Sequence, residues 1–125
     1  MDREQVMEWV EGYIRGWHAE DRTAVARLFT EDVQYRVSPY EEPILGRAGL
    51  EEFWLDDAGR IFTARAEPVA VDGRRAVVRV EVGYGDPIEQ EYRDLWLLHF
   101  AEDGRVDDFE EWAYWPGKPY TAGES

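Results

Sequence analysis

YRDLWLLHFAEDGRVDDFEEWAYW, residues 92 to 115, sets two runs of alternating residues around one turn. Successive strand side chains point to opposite faces, so Tyr92, Asp94, Trp96, Leu98 and Phe100 share one face while Arg93, Leu95, Leu97 and His99 share the other. In the second run alternation gathers Asp107, Phe109, Glu111 and Ala113, and sends Glu110 outward with Trp112. Glu102-Asp103-Gly104 supplies the turn between them. Wound as a helix, residues 105 to 115 would carry acids and rings on every side with no apolar stripe. The segment reads as a β-hairpin.

Working outward, residues 61 to 71 and 74 to 84 alternate in the same way and meet at Asp72-Gly73, a two-residue hairpin signal. A looser turn, GYGDP near 83 to 87, leads into the next strand, so four strands meander antiparallel. Pro68 inside the first of them predicts a bulge or a sheet edge. Ahead of the strands, Asp2 and Gln5 form a capping box before Val6, Trp9, Val10, Tyr13, Ile14 and Trp17 at helical spacing. Asp21 caps a second helix through about Thr30, with Ala24, Val25, Leu28 and Phe29 as its apolar stripe, and DVQYRV (32 to 37) is a short strand. SPYEEPILG (38 to 46) is broken by prolines and a glycine into a loop, and a third helix runs from about Arg47 to near Gly59 with Leu50, Phe53 and Trp54 inward. Helices first and strands afterwards predict an α+β fold, helices packed on one face of a bent antiparallel sheet. Three helices cover one face only, so the apolar residues of the other predict a homodimer through the outer sheet face; the plain alternative is a solvated face that tolerates some apolar area.

The chain has 125 residues, 44% of them apolar and 14% aromatic, enough for one core and one domain, read as residues 1–115 with a tail over 116–125. Its formal net charge of -14 repels phosphate backbones and anionic lipid, so neither nucleic acid nor membrane is an expected partner. There is no cysteine, which excludes disulfides, thiolate metal sites and a cysteine nucleophile. MDREQVMEWV lacks the basic start and apolar run of a signal peptide, and no run approaches a membrane span, which predicts a cytoplasmic protein. Acidic doublets such as Glu31-Asp32 and Asp56-Asp57 lack calcium-loop spacing, and neither an HExxH, a G-x-S-x-G nor a phosphate-binding glycine loop occurs. No metal or cofactor is expected.

The order of these elements, with YIRGWHAEDRTAVARLFTEDVQYR (13 to 36), ILGRAGLEEFW (44 to 54) and YRDLWLLHFAEDGRVDDFEEW (92 to 112), resembles the SnoaL-like branch of the nuclear transport factor 2 superfamily. The resemblance covers nearly the whole chain. It implies a cone-shaped, curved sheet whose concave face is closed by three helices over an apolar pocket, commonly in a homodimer. Among ketosteroid isomerases of this superfamily, Tyr13 matches the tyrosine that donates a hydrogen bond to the developing enolate. Their general-base aspartate falls at Val37 and their second oxyanion-hole acid near Trp96, so the resemblance argues against that mechanism. Against limonene epoxide hydrolases, Tyr35 matches the water-orienting tyrosine, Arg79 and Glu81 an arginine-x-acid pair, and Glu111 lies near the last-strand acid. Val37 there replaces the water-binding asparagine.

The resemblance thus implies catalytic positions at Glu111, Arg79, Glu81, Tyr13 and Tyr35, to which the residues themselves add Asp94, and a pocket lined by Trp17, Val37, Trp54, Trp96, Phe109 and Ala113. A carboxylate among such rings is desolvated, which favours its neutral form and tunes it as an acid or base. Asp94, between Tyr92 and Trp96 on an apolar face, is the candidate that the residues themselves favour. Two readings of strand 74 to 84 stand side by side. The resemblance turns Arg79 and Glu81 into the pocket, whereas hydrophobic pattern alone turns Val78, Val80 and Val82 inward and leaves the charges in solvent. Arg79 inside would equally serve to neutralise Glu81 or Glu111. His18 and His99 read as structural. The expected function is binding of a small hydrophobic or cyclic ligand, with cofactor-free acid/base catalysis of the isomerase, cyclase, dehydratase or epoxide hydrolase type; the alternative is a non-catalytic ligand-binding or dimerisation module.

Overall fold

A computed structural model describes residues 1–54 and 62–117, the side chain of Trp54 excepted. Helix α1 (Arg3–Ala19) opens with the capping box: Gln5 N–H donates to Asp2 Oδ1 at 2.8 Å and Asp2 N–H donates to Gln5 Oε1 at 3.0 Å. Its apolar spacing buries Val6, Trp9, Val10 and Tyr13. Helix α2 (Thr23–Leu28) follows Asp21, whose carboxylate accepts from Thr23 N–H at 3.0 Å. It stops two residues short of Thr30, because Phe29 and Thr30 already belong to strand β1 (Phe29–Arg36). Strand β2 (Ile44–Leu45) and helix α3 (Gly46–Trp54) come next, so the predicted end near Gly59 lies outside the described residues. Strands β3 (Phe62–Asp72), β4 (Arg75–Tyr84), β5 (Gln90–Phe100) and β6 (Val106–Tyr114) then follow as the alternation predicts.

The strand order is β2-β1-β6-β5-β4-β3. β3 through β6 pair antiparallel in sequence, but β1 pairs parallel to β6 and β2 antiparallel to β1, so the six-stranded sheet of the described residues is mixed rather than antiparallel. Ile44 and Leu45, read as loop, take the free backbone edge of β1 opposite Tyr35 and Gln34. β3 is an edge strand, and its pairing with β4 shifts register between Pro68 and Ala70, a bulge where proline removes a donor.

Cross-strand partners share a face, so the register fixes what points inward. Val80 faces Asp94 and Asp94 faces Ala113; Val78 faces Trp96 and Trp96 faces Glu111; Leu98 faces Phe109. Val78, Val80, Trp96, Phe100 and Phe109 are fully buried there, each worth about 1.5–3 kcal/mol relative to exposure. α1 packs on this face: Trp9 meets Phe100 edge-on with centroids 5.9 Å apart, and Tyr13 meets Trp96 at 4.7 Å. The hydrophobic reading of β4 is therefore the one realised, and the inward placement of Arg79 and Glu81 is corrected. They lie on the opposite face, where Glu81 accepts from Arg65 Nη2 at 2.8 Å and stands 3.9 Å from Arg79. Three valines in alternation bury more apolar area than the charges could recover by ion pairing.

Strict alternation also fails at Asp107. Phe100 pairs with Val106 and His99 with Asp108, a register shift that sets both Val106 and Phe109 inward. Asp107 thereby leaves the inner row, and its Oδ1 accepts from His99 Nδ1–H at 2.6 Å.

Candidate functional site

Tyr13 from α1 and Tyr35 from β1 point into the same interior and bring their hydroxyls to 2.9 Å. Phe109 of β6 fixes both rings, stacking on Tyr35 at 4.3 Å and on Tyr13 at 5.9 Å, each within 6° of parallel. Tyr35 reaches this position because it sits directly beside Phe109 in the parallel β1–β6 pairing. Trp96 closes the cluster at 5.2 Å from Phe109.

Two carboxylates bear on the tyrosine pair. Asp94 is 5% exposed, and is the one fully buried acidic or basic residue among those described. Glu111 is half-buried opposite Trp96 on the same face. Burial foremost, then the neighbouring Tyr13 and the negative charges of Glu111 and Asp94, raise the pKa of Tyr35 well above the ordinary tyrosine value of 10.0. Tyr35 is thus held as a neutral phenol, able to donate one hydrogen bond and accept another.

Of the other predicted positions, Trp17, Val37 and Ala113 are half-buried at the edge of this interior. Trp17 lies 4.0 Å from Phe62, Phe62 is 5.9 Å from Tyr84, and Tyr84 is 5.8 Å from Tyr92, whose ring meets Trp115 at 5.6 Å. Phe62, Tyr84 and Tyr92 were absent from the predicted lining; alternation put Tyr92 on the face of Asp94 and Trp96, and the pairing of Phe62 with Tyr84 is a finding of the structure. Trp54 ends α3, and its side chain lies outside the described residues. The structure therefore brings together Tyr13, Tyr35, Asp94, Trp96, Phe109 and Glu111, and leaves Arg79 and Glu81 across the sheet. Among the described residues, no cluster of three or more His, Asp or Glu is placed to hold a metal. Nor is any helix there long and apolar enough to cross a membrane.

The model of the SnoaL-like domain matches residues 10–109, most of the chain, and the chain belongs to that family. No curated protein matches it in sequence. Solved structures share the fold at low identity. A Kribbella flavida protein described as a candidate ketosteroid isomerase is 24% identical, with a TM-score of 0.71 over 98% of this chain and 87% of its own. SalBIII, an epoxide hydrolase/cyclase-like enzyme of pyran ring formation in the polyether salinomycin, is 18% identical, with a TM-score of 0.72 over 93% of this chain and 94% of its own. An epoxide hydrolase of the LEH-like type from M. tuberculosis is 14% identical, with a TM-score of 0.67 over 90% of this chain and 84% of its own. At these identities the likeness establishes the fold alone.

Proposed function

We propose that this chain binds a small, uncharged cyclic molecule between its helices and the inner face of a cone-shaped sheet, and acts on it by acid/base chemistry. The observation that carries this reading is the buried Tyr13–Tyr35 hydroxyl pair at 2.9 Å with Asp94 and Glu111 bearing on it. Neutral phenols aimed into an apolar interior donate to an oxygen that gains negative charge, while a carboxylate beside them moves a proton. Asp94 and Glu111 take the acid and base roles, Tyr13 and Tyr35 the donor roles, and Trp17, Val37, Trp96, Phe109 and Ala113 the lining. Arg79 and Glu81 take no part, since they lie on the other face. Isomerisation, cyclisation, dehydration and epoxide opening all use this set, and three of these activities occur in the descriptions of proteins that share the fold. The domain spans residues 1–115 on this reading, with 116–125 as a tail, and works in the cytoplasm.

A thermal-shift screen with cyclic ketones, epoxides and lactones tests binding, and turnover of the best stabilisers tests chemistry. Replacing Glu111→Gln and Asp94→Asn should lower turnover by about 10²–10⁴-fold, the range expected for a lost general acid or base. Full turnover in both variants would sink the assignment. A non-catalytic dimerisation module is the second reading, favoured by the apolar outer face, where Leu95, Trp112 and Tyr114 each remain more than a third exposed.

A further inference from the structure

Indole N–H groups buried in proteins find acceptors, because an unmet donor in an apolar interior gives up its hydrogen bond to water with no return. Trp9 obeys, donating from Nε1 to the Leu28 carbonyl at 2.9 Å. Trp96 does not. It is 1% exposed, and its Nε1–H is enclosed with no acceptor among the described residues. The indole is held rigidly at the level of the tyrosine pair, 4.7 Å from Tyr13 and 5.2 Å from Phe109, between Val78 and Glu111 in the sheet.

We infer that the Nε1–H of Trp96 is a specificity-determining donor whose acceptor arrives with the ligand, and that this acceptor is a neutral carbonyl or ether oxygen. The inference rests on the proposed binding interior and narrows what enters it. A hydrocarbon or an ammonium has no lone pair to offer an N–H, and a carboxylate would meet the charges of Asp94 and Glu111 on the same face. A ketone or cyclic ether satisfies the donor and carries no charge.

The test uses the full chain with ¹⁵N-labelled indoles and two matched probe pairs, 1-tetralone with tetralin and 2-adamantanone with adamantane. Each ketone should shift the Trp96 Nε1–H resonance downfield and slow its exchange with solvent, while each parent hydrocarbon leaves it in place. In Trp96→Phe, which keeps an apolar ring and removes the donor, the preference for ketone over hydrocarbon should fall by roughly tenfold. Ketones that bind with the Trp96 resonance unmoved would overturn the donor role and leave the binding interior standing. No perturbation of any interior resonance by either pair at saturation would overturn both. The resonance is read in the unsubstituted chain, so the outcome does not depend on how well the variant folds.

Discussion

Tyr35 is the residue whose environment makes the sharpest demand. Its hydroxyl is buried against Tyr13 and its pKa is raised well above 10.0, chiefly by desolvation. The unfolded chain releases that proton near pH 10 while the folded chain retains it, so the folded state binds more protons and stability falls as pH climbs past 10. The slope due to this one group approaches about 1.4 kcal/mol per pH unit. Urea unfolding between pH 8 and 11 should show Tyr35→Phe losing stability less steeply than the unsubstituted chain. Tyr13→Phe has a different effect, leaving the Tyr35 hydroxyl buried without its hydrogen-bond partner, at a cost of about 1–3 kcal/mol at neutral pH. Combining Tyr13→Phe with Tyr35→Phe should cost less than the two single losses added together, because the second change removes the stranded hydroxyl.

At the scale of elements, what was legible in the sequence was whatever a local period encodes. Tyr92 to Phe100 alternate without interruption, and β5 has the faces that alternation assigns. Asp2 with Gln5 and Asp72-Gly73 are short-range chemistry and were equally readable. The parallel pairing of β1 with β6 joins residues some seventy positions apart and leaves no local mark, and a two-residue strand amid prolines leaves none either. The bulge at Asp107–Asp108 was hidden because an added residue changes no composition, only the phase of the faces beyond it. In β4 the hydrophobic pattern was right, and the family resemblance, carried over position by position, pointed the charges the wrong way. The donor of Trp96 belongs to a further class, since a missing acceptor is visible only once every neighbour is placed. The β4 assignment makes its own prediction. Val80→Ala removes two buried carbons from a fully enclosed side chain and should cost about 2 kcal/mol, whereas Arg79→Ala, on the exposed face, should stay within about 0.5 kcal/mol. Reversed magnitudes in denaturant melts would reverse the strand's faces.

The whole molecule carries a formal charge of -14, yet its outer sheet face does not share that excess. Arg36, Arg65, Arg75, Arg79 and Arg93 interleave there with Glu67, Glu81, Asp108 and Glu110, around an apolar strip of Val77, Leu95, Leu97, Trp112 and Tyr114. Leu95 pairs with Trp112 across β5 and β6 at the middle of this strip. A second copy meeting that face would bury the strip against itself and match arginines with carboxylates, while the acidic remainder of the two chains repels at longer range. Repulsion of that kind is screened beyond about 8 Å at physiological ionic strength, so self-association should strengthen as salt rises from low concentration. Sedimentation velocity across a salt series is expected to show a dimer whose dissociation constant falls with added salt before levelling off. Leu95→Glu places a charge in the strip without touching the inner face, and should convert the dimer to monomer while leaving the melting temperature of the monomer and the Trp96 resonance unchanged. A chain that stays monomeric at every salt concentration would mean that the outer face is simply solvated, and the apolar strip one of the exposed patches that ordinary surfaces tolerate.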